Sequence, residues 1–257
     1  MARNDFAAES AENFEQKCLC VLVLDVSGSM LEIVDKSNMQ YTGETMYVDG
    51  HKYNVVTGGI SKLDLLNEGL RDFYNEICSD ETTSQRLELC IVTFNDSVNV
   101  VQEPALPDNV NIPELEGSGD TALADAVNEA IDIVQARKNW YKQTGQPYYR
   151  PWIILMTDGE PNADQDIDGL ARRIKSDTAA KRYAFLPVGV EGADMNVLQR
   201  IAGEGMGAAK LKGMRFSQFF KWLSASMGTV TKAENGQTVN VAAGATGDGG
   251  WMDSFVI

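Results

Sequence analysis

The chain has 257 residues, 44% hydrophobic and 23% charged, the composition of an ordinary folded protein with room for one large α/β domain or two small ones. A core of that size needs neither disulfides nor a structural metal, so any metal it holds would be functional. With 37 acidic against 22 basic residues the net charge is −15, which sets aside nucleic acid and anionic membranes as partners and favours divalent cations and basic protein patches.

Residues 1–16 read as an N-terminal extension with no basic segment and apolar run of a secretory signal, so a cytoplasmic location is expected. Cys18–Leu24 (CLCVLVL) is apolar on both faces, as a central parallel strand covered by helices should be. Cys18 and Cys20 alternate along it, so both thiols face one side as small buried hydrophobes. Thr45–Val48 and Lys52–Val56 flank Asp49-Gly50-His51, an inserted β-hairpin over about Tyr41–Val56 that we expect beside the top of the sheet. Ile60–Ile77 carries Leu63, Leu66, Leu70, Phe73 and Ile77 at helical spacing. Strands follow at Leu87–Phe94 and Val98–Val101, a helix at Ala122–Ala136, a strand at Trp152–Met156 and a helix at Ile167–Ala180. The pattern continues with a strand at Tyr183–Val188, a short helix at Met195–Ile201, an edge strand near Ala208–Leu211 and a helix at Arg215–Met227. Residues 233–257, rich in Gly, Ala and Thr, read as a flexible tail with a weak strand at Gln237–Ala242 and Trp251 and Phe255 as docking anchors. Alternating β and α units predict a three-layer α/β fold over residues 17–232, Rossmann-like, with a mostly parallel central sheet and helices on both faces.

Three loops carry the chemistry. Asp25-Val26-Ser27-Gly28-Ser29 follows the first strand directly, and Thr157-Asp158-Gly159-Glu160-Pro161 follows the Trp152–Met156 strand. In an open parallel sheet ligands bind beyond the carboxyl ends of the strands, which is where these side chains project. Gly117-Ser118-Gly119-Asp120-Thr121 opens a helix, placing Thr121 where its hydroxyl can cap or ligate. Oxygen donors with no soft or aromatic ligand suit Mg²⁺, Mn²⁺ or Ca²⁺ rather than zinc or copper.

DVSGSM after a strand, GSGDTALADAV and ILMTDGEPN together resemble the three parts of the metal-ion-dependent adhesion site of von Willebrand factor type A domains. The resemblance covers about Lys17–Met227. It implies a single Mg²⁺ held by the hydroxyls of Ser27, Ser29 and Thr121, with Asp25 and Asp158 acting directly or through water. It also implies an open position for an Asp or Glu of a partner protein. FFKWLSASM (Phe219–Met227) and TDGEPNAD (Thr157–Asp164) are most similar to bacterial tellurite-resistance TerY-like proteins. That similarity implies a stress-response or phosphorylation system with a kinase or phosphatase as partner.

Other residues have plainer readings. Asp120 and Glu160 are solvated acidic rim residues, and His51, the single histidine, is a solvated turn residue. Phe216, Phe219, Phe220 and Trp222 pack a helix. A catalytic triad would need a base near Ser27 or Ser29, and only His51 is available. The phosphate-binding Gly-Lys-Ser/Thr loop ending is absent. An aspartyl phosphotransferase usually has a second carboxylate two positions after the first, where this chain has Ser27. A binding module rather than an enzyme is expected. A Mg²⁺-dependent phosphatase or hydrolase, and an accessory subunit of a ring ATPase, stand as the alternatives.

Overall fold

The computed structural model describes residues 14–48, 51–204, 207–234, 245 and 250–256. In chain order it has β1 (Cys18–Asp25), β2 (Ile33–Asp35), β3 (Gln40–Val48), β4 (His51–Thr57), β5 (Ile60–Ser61), α1 (Lys62–Ser79), α2 (Glu81–Arg86), β6 (Leu87–Phe94) and β7 (Val98–Ala105). There follow α3 (Leu123–Thr144), β8 (Trp152–Thr157), α4 (Ile167–Ala179), β9 (Ala184–Gly189), α5 (Met195–Ile201), β10 (Ala208–Leu211), α6 (Phe216–Lys232) and β11 (Met252–Val256).

The large sheet has the order β11-β10-β9-β8-β1-β6-β7. Its strands from β10 to β6 are parallel, and β7 and β11 close the edges antiparallel. Every residue of β1, β6 and β8 is buried, because helices cover both faces; β7, at an edge, alternates between half-buried and exposed positions until Pro104. The chain leaves β1 through α1 to reach β6 on one side, then returns through α3 to β8 on the other. The carboxyl ends of β1 and β8 therefore flank a switch point of the topology, the place where open α/β sheets bind ligands.

Alternation along β1 divides the core in two. Cys18, Cys20, Leu22 and Leu24 face α1 and α6, with Leu66, Leu70, Phe73, Phe219 and Phe220. Leu19, Val21 and Val23 face the opposite layer, with Val127 and Val134 of α3 and Ile174 of α4. The two thiols thus share a side, fully buried and unbridged, and burial beside Glu88 pushes the Cys18 thiol up to about 12. Gly69 lets α1 and α6 approach closely, since a Cβ there would lie 2.6 Å from the Phe220 ring. Ser61 starts α1 with a reciprocal capping box, accepting from the Asp64 amide while Asp64 accepts from the Ser61 amide.

Apart from Gln237–Ala242, the predicted strands and long helices are all present, with shifted ends. The helix expected from Ile60 begins at Lys62, because Ile60–Ser61 pairs antiparallel with β2. The hairpin has about the expected extent, Tyr41 opposing Val56 and Val48 opposing His51, but its first strand begins at Gln40 rather than Thr45. Its Asp49-Gly50 turn lies outside the described residues, as does Gln237–Ala242. The helix expected to end at Ala136 runs on to Thr144. Arg137 reaches Glu88 of β6 through Nε (2.7 Å) and Nη2 (2.6 Å), and the Tyr141 hydroxyl donates to the same carboxylate.

At the end of the tail expected over residues 233–257, Met252–Val256 form β11, which pairs with β10, where no strand was expected, and Trp251, expected as a docking anchor, is buried against Phe219 and Trp222. Aromatic burial and the edge of β10 together account for a strand at Met252–Val256, where composition suggests a loop. Among the described residues no helix is long and apolar enough to cross a membrane.

Candidate functional site

The loop after β1 is shaped by its own hydrogen bonds. The Ser27 amide donates to Asp25 Oδ1 at 2.8 Å, and a single turn of 3-10 helix, Gly28–Leu31, carries Ser29 outward. Backbone bonds stitch this loop to its neighbours: Val26 N to Phe94 O (2.9 Å), Ser118 N to Val26 O (2.9 Å) and Gly28 N to Gly119 O (2.9 Å). Gly119 has φ +72°, and a Cβ there would collide with the Asp96 carboxylate, so the 117–121 loop takes its path only with glycine at that point.

Thr121 was expected to cap or ligate, and the structure separates these roles. The amino end of α3 has no side-chain cap from its own flank. Gln165, from the segment after β8, accepts instead from the amides of Ala124 (2.8 Å) and Asp125 (3.1 Å). Asn162 clasps the Thr121 backbone, its Oδ1 accepting from Thr121 N and its amide donating to Thr121 O, both at 3.0 Å. The Thr121 hydroxyl lies beside Gly159 and Asp25. A Cβ on Gly159 would lie 3.1 Å from Thr121 Oγ1 and 3.6 Å from Asp25 Oδ2, so both oxygens line the same small space.

The five predicted residues are brought to one rim. Ser27 Oγ and Ser29 Oγ are 3.0 Å apart, and Ser29 Oγ donates to Asp158 Oδ1 at 2.6 Å. Asp25, Ser27, Thr121 and Asp158 are buried, whereas Ser29 is exposed. Burial raises the Asp25 pKa above the ordinary carboxyl value; hydrogen bonds from Ser27 and Thr157 oppose this, and the nearby Asp158 charge adds to it. Asp120 and Glu160 are exposed beside the rim. Phe216, Phe219, Phe220 and Trp222 are core residues. His51 contributes the first residue of β4.

Three contributors were missed by sequence reasoning. Thr157 Oγ1 donates to Asp25 Oδ2 at 2.5 Å and accepts from Gly159 N at 3.2 Å, fixing the carboxylate from the neighbouring strand. Its signal was position, since it precedes Asp158 at the end of a buried strand. Lys62 is 3% exposed, and its ammonium lies 2.7 Å from Asp158 Oδ2, 2.8 Å from Glu32 Oε2 and 3.0 Å from the Glu191 carbonyl. Burial opposes the Lys62 charge, but hydrogen bonds to Asp158 and Glu32 outweigh it and raise its pKa above the usual lysine value. Nothing in the sequence marks Lys62 or Glu32, which stand 30 residues apart at the two ends of the insert.

All donors at the rim are oxygens, two carboxylates and three hydroxyls, with no thiol or imidazole. Among the described residues no cluster of three or more His, Cys, Asp or Glu could hold a metal. The rim therefore fits a hard cation bound largely through hydroxyls and water, and not a soft metal.

The sequence profile of the von Willebrand factor type A domain matches residues 70–219, more than half of the chain. Thr121 and Asp158 lie inside that stretch, while Asp25, Ser27 and Ser29 precede it. Among solved structures, the chain is similar to the PilB minor pilin from Streptococcus sanguinis (TM-score 0.54, 14% identity, covering 82% of this chain and 61% of that one). It is also similar to the ArnB paralog VWA2 from Sulfolobus acidocaldarius (TM-score 0.50, 16% identity, covering 82% of this chain and 45% of that one). The chain thus spans about three fifths of the pilin it resembles, and at these identities the likeness is one of fold. No curated protein sequence matches it. With its parallel sheet, two helical layers and the profile match over residues 70–219, the chain belongs to the von Willebrand factor type A domain family.

Proposed function

We propose that this chain is a protein-binding module whose rim of Asp25, Ser27, Ser29, Thr121 and Asp158 holds one divalent cation, Mg²⁺ or, by the same chemistry, Mn²⁺ or Ca²⁺. The carrying observation is that three loops distant in sequence set five oxygen side chains on one rim at the carboxyl ends of β1 and β8. The cation would supply an electrophilic position that a carboxylate from a partner's Asp or Glu completes. This chain's residues do the positioning. Thr157 and the Ser27 amide hold Asp25, Ser29 holds Asp158, and Asn162 sets Thr121 in place.

The resemblance of Phe219–Met227 and Thr157–Asp164 to TerY-like proteins supports a kinase or phosphatase of a bacterial stress-response system as the partner. The acidic surface, at net charge −15, supports a protein partner with a basic surround rather than nucleic acid or membrane. Asp25→Ala removes one of the two carboxylates among the five proposed ligands. It is expected to weaken Mg²⁺ binding by about two orders of magnitude, read by calorimetry, and to abolish metal-dependent capture of the partner. Capture unaffected by chelator and by Asp25→Ala would overturn the proposal. Mg²⁺-dependent phosphoester hydrolysis lost in Asp25→Ala would establish the phosphatase alternative in its place.

A further inference from the structure

The rim contains a cation of its own. An ammonium has three protons to donate, and Lys62 directs all three within the site: to Asp158, to Glu32 and to the Glu191 carbonyl. Asp158 thus has Ser29 on Oδ1 and Lys62 on Oδ2. Of the two carboxylates among the five proposed ligands, Asp158 is already paired with a buried positive charge. The Glu32 side chain pairs with the same ammonium but is 66% exposed, so solvent screening weakens its compensation of that charge.

We propose that Lys62 is a resident counter-cation with two effects: it holds Asp158 in position while no metal is bound, and it keeps the affinity for metal alone low, so that metal is retained only together with an added carboxylate. This rests on the reading of the rim as a divalent-cation site. The physical basis is charge balance. The buried charges of Asp25, Asp158 and Lys62 together with a divalent ion would sum to a net positive site, which the solvent-screened Glu32 carboxylate offsets only in part, and an anionic oxygen from outside is the group that relieves the remainder. Lys62 and Glu32 also bracket the β2–β5 ladder and its hairpin, and Lys62 N donates to Glu32 O at 3.1 Å. The insert is therefore anchored through the same ammonium that touches Asp158.

Calorimetric titration with MgCl₂, with and without saturating sodium acetate as the carboxylate, tests this on the full chain. The native protein should bind Mg²⁺ weakly alone and at least about fivefold more tightly with acetate. Lys62→Met should bind Mg²⁺ alone at least about tenfold more tightly and gain less from acetate. Its metal-free melting temperature should fall, because Asp158 loses its buried partner, and Mg²⁺ should restore it. Lys62→Gln keeps a hydrogen-bond donor beside Asp158 without the charge and should show the same rise in affinity if the methionine variant fails to fold. Glu32→Gln, which leaves the ammonium less compensated, should shift affinity the opposite way. Wild-type or weaker Mg²⁺ affinity in both Lys62 variants would overturn the role of Lys62 and leave the metal site standing. Absence of Mg²⁺ binding in the native protein and every variant, with or without acetate, would overturn the metal reading of the rim and this inference with it.

Discussion

Gly159→Ala should separate the fold from the site. Gly159 lies between Thr121 and Asp25 and does not have the left-handed backbone that only glycine adopts freely, so alanine meets no conformational penalty there. Its added Cβ would sit 3.1 Å from Thr121 Oγ1, closer than ordinary contact, so the hydroxyl must move by a few tenths of an ångström. Stability without metal should change by no more than about 1 kcal/mol, since the reduced freedom of the unfolded chain offsets part of the crowding. Metal binding is less forgiving, because Mg²⁺ demands near-octahedral oxygens at about 2.0–2.1 Å. At a Mg²⁺ concentration of about one hundred times the native Kd, binding stabilises by about 2.7 kcal/mol. For a domain of this size that is a rise in Tm of about 5–11 °C. A tenfold weaker site would retain about 1.4 kcal/mol at the same concentration, so the variant's Mg²⁺-induced shift should fall to about half or less. Thermal unfolding of both proteins, with Mg²⁺ and with chelator, makes the comparison. A variant that keeps the full shift would refute the placement of the metal beside Thr121, and a metal-free loss above about 3 kcal/mol would refute the claim that the position is structurally tolerant.

Two further outcomes concern the scaffold. Trp251→Ala should cost about 3–5 kcal/mol in urea unfolding, because its ring packs at 4.9 Å from Phe219 and 5.1 Å from Trp222, measured between centroids; a loss below about 1 kcal/mol would show that the last strand adds nothing. The Lys232 ammonium, helped by the Thr83 amide and hydroxyl, lowers the Asp80 pKa to about 2. This carboxylate therefore contributes stability that is full above its unfolded value near 3.8 and is lost as pH falls through about 2. Both partners are more than a third exposed, so screening reduces the contribution to roughly 1 kcal/mol. Asp80→Asn, which keeps an N-cap acceptor, should be less stable than the native chain by that amount at pH 7 and equal to it only well below pH 2, at about pH 1; a gap of the same size that persists there would assign the effect to the cap rather than the charge.

Local pattern determined a large part of this protein. The uniform apolarity of β1, β6 and β8 announces strands covered on both faces, and the three-and-four spacing of Leu63, Leu66, Leu70, Phe73 and Ile77 announces the helix packed upon them. Strand-then-loop order put Asp25 and Asp158 at the same end of the sheet, because parallel strands point their carboxyl ends one way. Tertiary structure decided the rest. That α3 continues to Thr144 depends on Arg137 and Tyr141 meeting Glu88, a pairing across 49 and 53 residues that no local period encodes. That the Gly-rich tail ends in a strand depends on the edge of β10 and on the rings of Phe219 and Trp222, against which Trp251 packs. That Lys62 stands against Asp158, 96 residues away, depends on the β2–β5 ladder holding the start of α1 beside the rim. A lysine at the first turn of an amphipathic helix is ordinary in sequence, and only the folded chain removes it from water and gives its charge a carboxylate to answer.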